Sequence, residues 1–436
     1  MTNVGCVTSV INVHPMSILS TAGTQRQRRI ILAVLAGILL GAAFPPIPTG
    51  ITIFVAFIPF FLLLESVTTY GETLRYGYLT LFIWHIIAGY WAGGFTHARD
   101  VYLMTGGAAL LLLNPFFYLI PLFAFQFIRR YFSLRGAVLA FPFFWVAIEL
   151  FRAHTELALP WVTLGNTQTY HLPSIQIASF TGVYGVSFWI LVINVGLFLV
   201  FRKIMIGEIK LFSKKTIGMI LTILLFYVCP IIYGYYVLNK KDSLPRYPIL
   251  KIALIQPNID PFEKWEGDPY STFYTQLSMT REVEGKNIDL ALWSETAIPF
   301  FLLHNNNRYF LEILKNQVDS LQINLLTGVP DIVYYNEDAP SSSKTGKMGE
   351  RYDTYNSSML FQPNQDSIQR YYKKLLVPFA ERVPYSEELS FLNAMQWNLG
   401  LGGWGVGKEK TVFQCNTHEG FNATFSNLIC FESIFP

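Results

Sequence analysis

Long stretches almost free of charge dominate the first 238 residues, and they limit what this chain can fold into more than any other feature. A helix crossing a bilayer needs about 20 mostly apolar residues. Seven segments reach or approach that length: 30–46, 51–67, 76–95, 103–128, 136–151, 175–201 and 216–238. So many uninterrupted apolar runs do not fit a water-soluble globule. The composition agrees, with 52% hydrophobic and 14% charged residues, against about 25% charged in an ordinary soluble domain. The first two segments are joined by Pro45-Pro46-Ile47-Pro48-Thr49-Gly50, which reads as a tight helical hairpin. The fifth is the shortest, interrupted by Pro142 and ended by Glu149 and Arg152.

Lys and Arg beside the segments indicate an orientation. Arg26, Arg28 and Arg29 precede the first, Arg75 follows the second, and Arg129, Arg130 and Arg135 follow the fourth. Arg202, Lys203, Lys210, Lys214 and Lys215 follow the sixth. The alternate loops are nearly bare, with Arg99 between the third and fourth segments. The expectation is a multi-pass α-helical bundle of seven spans over 30–238, behind a cytoplasmic tail of 1–29. Residues 239–436 would then lie on the outer face. The tail has no apolar core before a small-residue cleavage site, so no signal peptide is read there.

Overall charge is close to balance, 32 basic against 29 acidic residues, with no basic tract carrying interleaved aromatics. Nucleic acid is therefore excluded as an expected partner. Cys6, Cys229, Cys415 and Cys430 are too few and too scattered for a disulfide scaffold or a zinc site, so no metal is expected. From residue 239 the pattern becomes one of short β-type runs with intervening helical spacing. Strands are expected at 251–256, 288–293, 323–329, 355–361, 368–372, 411–415 and 423–430, and helices at 270–286 and 308–320. This order indicates a mixed α/β sandwich, with 337–350 as a polar surface loop.

Three residues stand at the expected strand ends, where side chains reach the loop layer in which sites are assembled. Glu295 lies in LWSETAIP, Lys373 in YYKKLLVPFAERVP and Cys430 in NLICFES. A cysteine attacks a carbonyl as thiolate, and a carboxylate is the base for it only if burial raises the carboxylate's pKa, as the apolar flanks of Glu295 favour. A lysine ammonium beside the developing oxyanion supplies electrostatic stabilisation. Singly, each has a plainer reading: a core cysteine, a turn glutamate, a solvated lysine pair.

LWSETAIP, YYKKLLVPFAERVP and LICFES, in that order behind a membrane bundle, resemble the apolipoprotein N-acyltransferase family. IQPNIDPFEKW, RYDTYNS (351–357) and ELFRAHTELALPWVTLGNTQ (149–168) extend the resemblance over almost the whole chain. It implies a membrane bundle joined to a periplasmic nitrilase-like domain in a bacterial inner membrane. It makes Glu295 the general base, Lys373 the oxyanion partner and Cys430 the nucleophile. Glu381 and Glu432 match supporting carboxylates, and Trp265 an aromatic on a substrate-binding loop at the lipid entrance. Phe431 stands where the family pattern leads one to expect tyrosine.

The implied reaction moves an acyl chain from a phospholipid, through a thioester, to the α-amine of a diacylglyceryl-cysteine on an apolipoprotein. No cofactor is implied, and the enzyme is expected to act as a monomer. Phe300, Phe301, Leu302 and Leu303 are candidates for a lipid-facing rim or for ordinary core. Glu149 and Arg152, at i and i+3, are expected to pair with each other, and His85 lies within a span. A Cys415–Cys430 disulfide would block the nucleophile. The family pattern implies more sandwich and one more span beyond Pro436, so the chain alone is expected to be inactive or unstable. A membrane-anchored nitrilase-type amidase and a non-catalytic membrane scaffold are the alternatives.

Overall fold

The computed structural model describes residues 24–94, 101–240, 248–260, 264, 267–336, 338–340, 343–386, 388 and 403–435. The chain divides into two compact units, Met1–Arg99 with Gly107–Lys241, and Asp100–Gly106 with Asp242–Pro436.

The first unit is helical. Its elements are α1 (Gln25–Gly41), α2 (Ile53–Ser66), α3 (Tyr70–Gly89), α4 (Val101–Phe117), α5 (Leu119–Tyr131), α6 (Leu134–Ala153), α7 (Leu172–Ile175), α8 (Ala178–Met205) and α9 (Lys214–Asn239). Hydroxyl caps start several of them: Thr24 closes a capping box with Gln27, and Thr69, Ser133 and Ser213 accept from N–H groups of the first turn. Among the described residues four stretches are long and apolar enough to cross a bilayer: Met104–Tyr131, Leu134–Ala153, Ala178–Met205 and Lys214–Asn239. By comparison α1 and α2 are short, at 17 and 14 residues, and α3 carries Glu72 and Arg75 in its first turns.

Small residues let α1 approach α3 closely. A Cβ on Gly37 would lie 2.8 Å from the Thr80 carbonyl, and one on Gly41 would lie 2.5 Å from Ile87 Cβ. The core of the unit is aromatic, with Phe57, Phe61, Trp84, Phe125, Phe141, Trp145 and Phe198 fully enclosed.

Glu149 and Arg152 do not pair as expected. Glu149 Oε1 accepts from Leu164 N–H (2.9 Å) and Trp145 Nε1–H (3.2 Å), while Arg152 Nη1 donates to the Leu159 carbonyl (2.7 Å) and Asn114 Oδ1 (3.1 Å). Both side chains are buried at the end of α6 and hold the following loop by its backbone. Buried charge finds hydrogen bonds wherever they are available, and here the loop supplies them.

The second unit is built on a six-stranded sheet. Its strands are β1 (Ile252–Ile255), β2 (Leu290–Trp293), β3 (Asn324–Tyr335), β4 (Lys344–Thr345), β5 (Arg351–Phe361) and β6 (Gln369–Tyr372). β1, β2 and β3 run parallel, β5 is antiparallel to β3, and β4 and β6 both pair with β5. Helices α10 (Pro269–Arg281) and α11 (Arg308–Leu321) supply the crossovers between the parallel strands. A separate hairpin joins β7 (Phe413–Asn416) and β8 (Asn422–Phe425).

Side-chain alternation separates two cores. Ala291, Trp293, Leu325, Met359 and Phe361 pack with Phe273, Leu277, Leu314 and Val318 of the helices. Leu290, Leu326 and Leu360 pack with Phe413, Cys415 and Ala423 of the hairpin, and with Ile429. The strand expected to run to residue 430 stops at Phe425, and Cys430 instead opens a single helical turn, Cys430–Ile434.

Candidate active site

Glu295 lies two residues past the C-terminal end of β2, on the side of a parallel sheet where ligands usually sit. The backbone there is forced into a tight turn. Thr296 has φ +47°, a genuine outlier for a β-branched residue. Gly328 of β3 makes room for it, since a Cβ at that position would lie 2.3 Å from Thr296 N. Lys264 Nζ fastens the same turn, donating to the Glu295 carbonyl (2.8 Å) and Thr296 Oγ1 (2.6 Å). Burial, its largest influence, pushes that amine down to about 8.

Lys373 directly follows β6 and is 1% exposed. Its Nζ is 3.0 Å from Glu295 Oε1 and 2.9 Å from Glu381 Oε1. The backbone fixes it from both sides, Lys373 N–H donating to the Asn356 carbonyl and Gly407 N–H to the Lys373 carbonyl, each at 2.9 Å. Asn356 of β5 completes the arrangement: its Nδ2 donates to Glu295 Oε1 (2.7 Å) and Glu381 Oε1 (3.1 Å). Glu381 Oε2 accepts from Val377 N–H at 2.8 Å, which turns its other oxygen toward the lysine. One ammonium and one amide therefore hold two carboxylates in a fixed relation.

Cys430 stands beside Glu295, close enough to feel its charge. Its backbone is left-handed, with φ +48°, where the single helical turn opens five residues past the end of β8. Cys229, Cys415 and Cys430 are all free, so the Cys415–Cys430 bridge is absent.

The proton is distributed otherwise than the sequence suggests. Burial is the largest influence on Glu295 and pushes it up. The charge and hydrogen bond of Lys373, with Asn356 and Cys430, outweigh that and leave the carboxyl below its usual range. The expectation that burial would raise it is overturned. Desolvation, then the negative Glu295, pushes the Cys430 thiol up. Desolvation alone would lower Lys373, but Glu381 and Glu295 together raise it. At rest Glu295 is therefore a carboxylate, Lys373 an ammonium and Cys430 a thiol.

Glu432 takes a different place from the other carboxylates. Its Oε1 accepts from Tyr371 Oη–H (2.6 Å), Lys374 N–H (2.7 Å) and Leu375 N–H (3.3 Å), and its Oε2 from Ile429 N–H (2.8 Å). It ties the chain after Lys373 to the turn carrying Cys430. Phe431 is buried and packs edge-on against Phe435, ring centroids 5.0 Å apart. Leu302 is core, and Phe300 and Leu303 pack against that core, Phe300 beside Phe273 and Phe310. Trp265 lies outside the described residues.

Sequence reasoning missed Asn356 and Lys264, although both stood within quoted motifs. An asparagine in the middle of a strand of alternating character was the available signal. Among the described residues no group of three His, Cys, Asp or Glu side chains is placed to hold a metal ion.

Residues 36–196 match the apolipoprotein N-acyltransferase N-terminal domain, and residues 251–436 match the carbon-nitrogen hydrolase family. An apolipoprotein N-acyltransferase of Chlorobaculum tepidum is 33% identical over 93% of this chain and 75% of its own length. That of Geobacter metallireducens is 31% identical over 94% of this chain and 74% of its own, and that of Rickettsia prowazekii 25% identical over 93% and 75%. A bundle of apolar helices, a mixed-sheet unit that brings Glu295, Lys373 and Cys430 together, and relatives of this similarity agree: the chain belongs to the apolipoprotein N-acyltransferase family.

Proposed function

We propose that this protein N-acylates apolipoproteins, taking the acyl chain from a membrane phospholipid through a thioester on Cys430. The observation that carries the chemistry is Lys373, whose Nζ touches both Glu295 and Glu381 while Glu295 stands beside Cys430. Glu295 is the general base and takes the thiol proton as the sulfur attacks the ester carbonyl. Negative charge moves onto the carbonyl oxygen, and the Lys373 ammonium stabilises it. The tetrahedral intermediate expels the lysophospholipid alkoxide, which receives the proton from Glu295, and the thioester remains. The α-amine of the diacylglyceryl-cysteine then attacks that thioester. Glu295 takes the amine proton, and the sulfur leaves and is reprotonated.

Glu381 and Asn356 keep Lys373 and Glu295 in register. Glu432 and Phe431 fix the turn of the nucleophile. The family resemblance assigns Trp265 to substrate binding. The acyl-bearing substrates explain the bundle, because each methylene buried in lipid contributes about 0.8 kcal/mol and neither substrate leaves the bilayer cheaply. The one-sided placement of Lys and Arg supports a cytoplasmic tail of 1–29 and an outer, periplasmic catalytic domain over 239–436; the apolar runs support seven spans over 30–238, and the family resemblance a nitrilase-like sandwich held at the inner membrane.

A phospholipid with a tagged acyl chain tests the reading. The tag is expected on Cys430 as a hydroxylamine-sensitive adduct, lost in Cys430→Ala and passed on when a diacylated lipopeptide is added. Labelling that survives Cys430→Ala sinks it. Turnover of soluble amides without lipid would favour the amidase alternative.

A further inference from the structure

A polar concavity lies in the helical unit, lined by residues with no role assigned above. It has a volume of about 210 Å³ and is lined by Thr68, Tyr70, Gln126, Arg129 and Arg130. One water needs only about 10–15 Å³ by a comparable measure, so a polyatomic group fits. The site is built between the C-terminal end of α2, the first residue of α3 and the last turn of α5.

Two of its walls are rigid. Gln126 is 6% exposed and its Nε2 donates to the Leu64 carbonyl at 2.9 Å. Arg129 Nη1 donates at 2.8 Å to the carbonyls of Leu64 and Val67. These bonds satisfy carbonyls left over at the end of α2. They use only Nη1 of Arg129, so its other N–H groups remain for a ligand. The neighbouring acids are already engaged: Glu65 pairs with Arg202 at 3.0 Å and Glu72 with Arg29 at 2.5 Å. Among the described residues neither Arg129 nor Arg130 has a carboxylate partner. The lining is thus two positive charges with hydroxyl and amide groups, which suits an anion, and the planar guanidinium fork matches phosphate oxygens.

The surroundings say what carries that phosphate. Phe127, Tyr131 and Phe132 beside the two arginines are 51%, 64% and 77% exposed. Exposed aromatics next to arginines at the end of an apolar helix mark the level of lipid headgroups. We propose that this cavity binds the phosphodiester of an anionic phospholipid headgroup, with the acyl chains lying along α5. The lipid braces α2, α3 and α5 and is not an acyl donor. Its assignment to the cytoplasmic leaflet rests on the orientation proposed above; the binding itself does not.

Native mass spectrometry of the full chain, purified and delipidated, tests this with added phosphatidylglycerol, phosphatidylcholine or glycerol phosphate. One phosphatidylglycerol is expected to stay bound where phosphatidylcholine does not. Removing one charge in Arg130→Gln weakens retention about fivefold, and Arg130→Lys restores most of it. Arg129→Gln weakens it further but also removes the bonds to α2, so the Arg130 pair decides. Equal retention of both lipids, or no change in Arg130→Gln, overturns the site. Glycerol phosphate binding as tightly as phosphatidylglycerol overturns a lipid as the occupant. Acyl transfer onto Cys430, followed in parallel, is expected to persist in Arg130→Gln, so failure of this site and failure of the proposed reaction are distinguishable.

Discussion

Glu295 is ionised at rest because Lys373, 78 residues away in sequence, reaches it at 3.0 Å. The apolar flanks that announced burial were legible in LWSETAIP, but the compensating charge comes from another strand, so the sign of the shift was not. The consequence for pH follows directly. A base held below its usual range stays competent through neutrality, and thioester formation should decline only as pH falls through that lowered value, below the ordinary glutamate figure of about 4.3. In Lys373→Met the charge is gone and burial prevails, so the acid limb of the residual rate should move to higher pH; a limb that stays in place would refute this account. Asn356 offers a second test at the same scale. Losing a hydrogen bond to a charged group costs about 1.5–3 kcal/mol, so Asn356→Ala should slow single-turnover thioester formation roughly 10- to 100-fold, with little change in lipid binding. Its role stayed hidden in the sequence because only the register, which sets Asn356 opposite Pro330, turns it toward Glu295 and Glu381.

Elements formed where hydrophobic periodicity placed them, and their ends moved where a local constraint intervened. The apolar run 103–128 divides into α4 and α5. Pro121 has no N–H to give the Phe117 carbonyl, and the chain breaks one residue later, at Tyr118. The strand leading to Cys430 ends early because its partner runs out: Phe425 pairs with Phe413, the first residue of β7. β3 carries its own signature of function in Gly328, which lies mid-strand yet meets the Glu295 turn. In Gly328→Ala the added methyl forces backbone apart, at about 1–3 kcal/mol. Thermal unfolding should show that loss, and thioester formation should fall more steeply than stability, because the displaced atoms belong to Thr296 and Glu295. A variant destabilised by that amount with full activity would show that the close approach is packing alone.

For the whole molecule, the contrast between a sparsely charged first half and a more ordinary second half was legible at once, and it corresponds to the two compact units. How many helices cross the membrane was less so, since α1 to α3 are short or charged and depend on packing as much as on lipid. Orientation is open to a direct measurement. A reporter cysteine at Lys347 should react with a membrane-impermeant maleimide on spheroplasts, and one at Lys210 should react only after lysis; the reverse pattern would invert the proposed topology. The protonation of Cys430 bears on how long the molecule lasts. Peroxides and disulfides consume thiolates, and an exposed thiolate is driven to sulfenic acid and beyond. Desolvation, and then the negative Glu295 beside it, keep the sulfur as thiol, and a thiol is slow to oxidise. The arrangement that delays the first chemical step is also what lets a solvent-exposed nucleophile survive many turnovers.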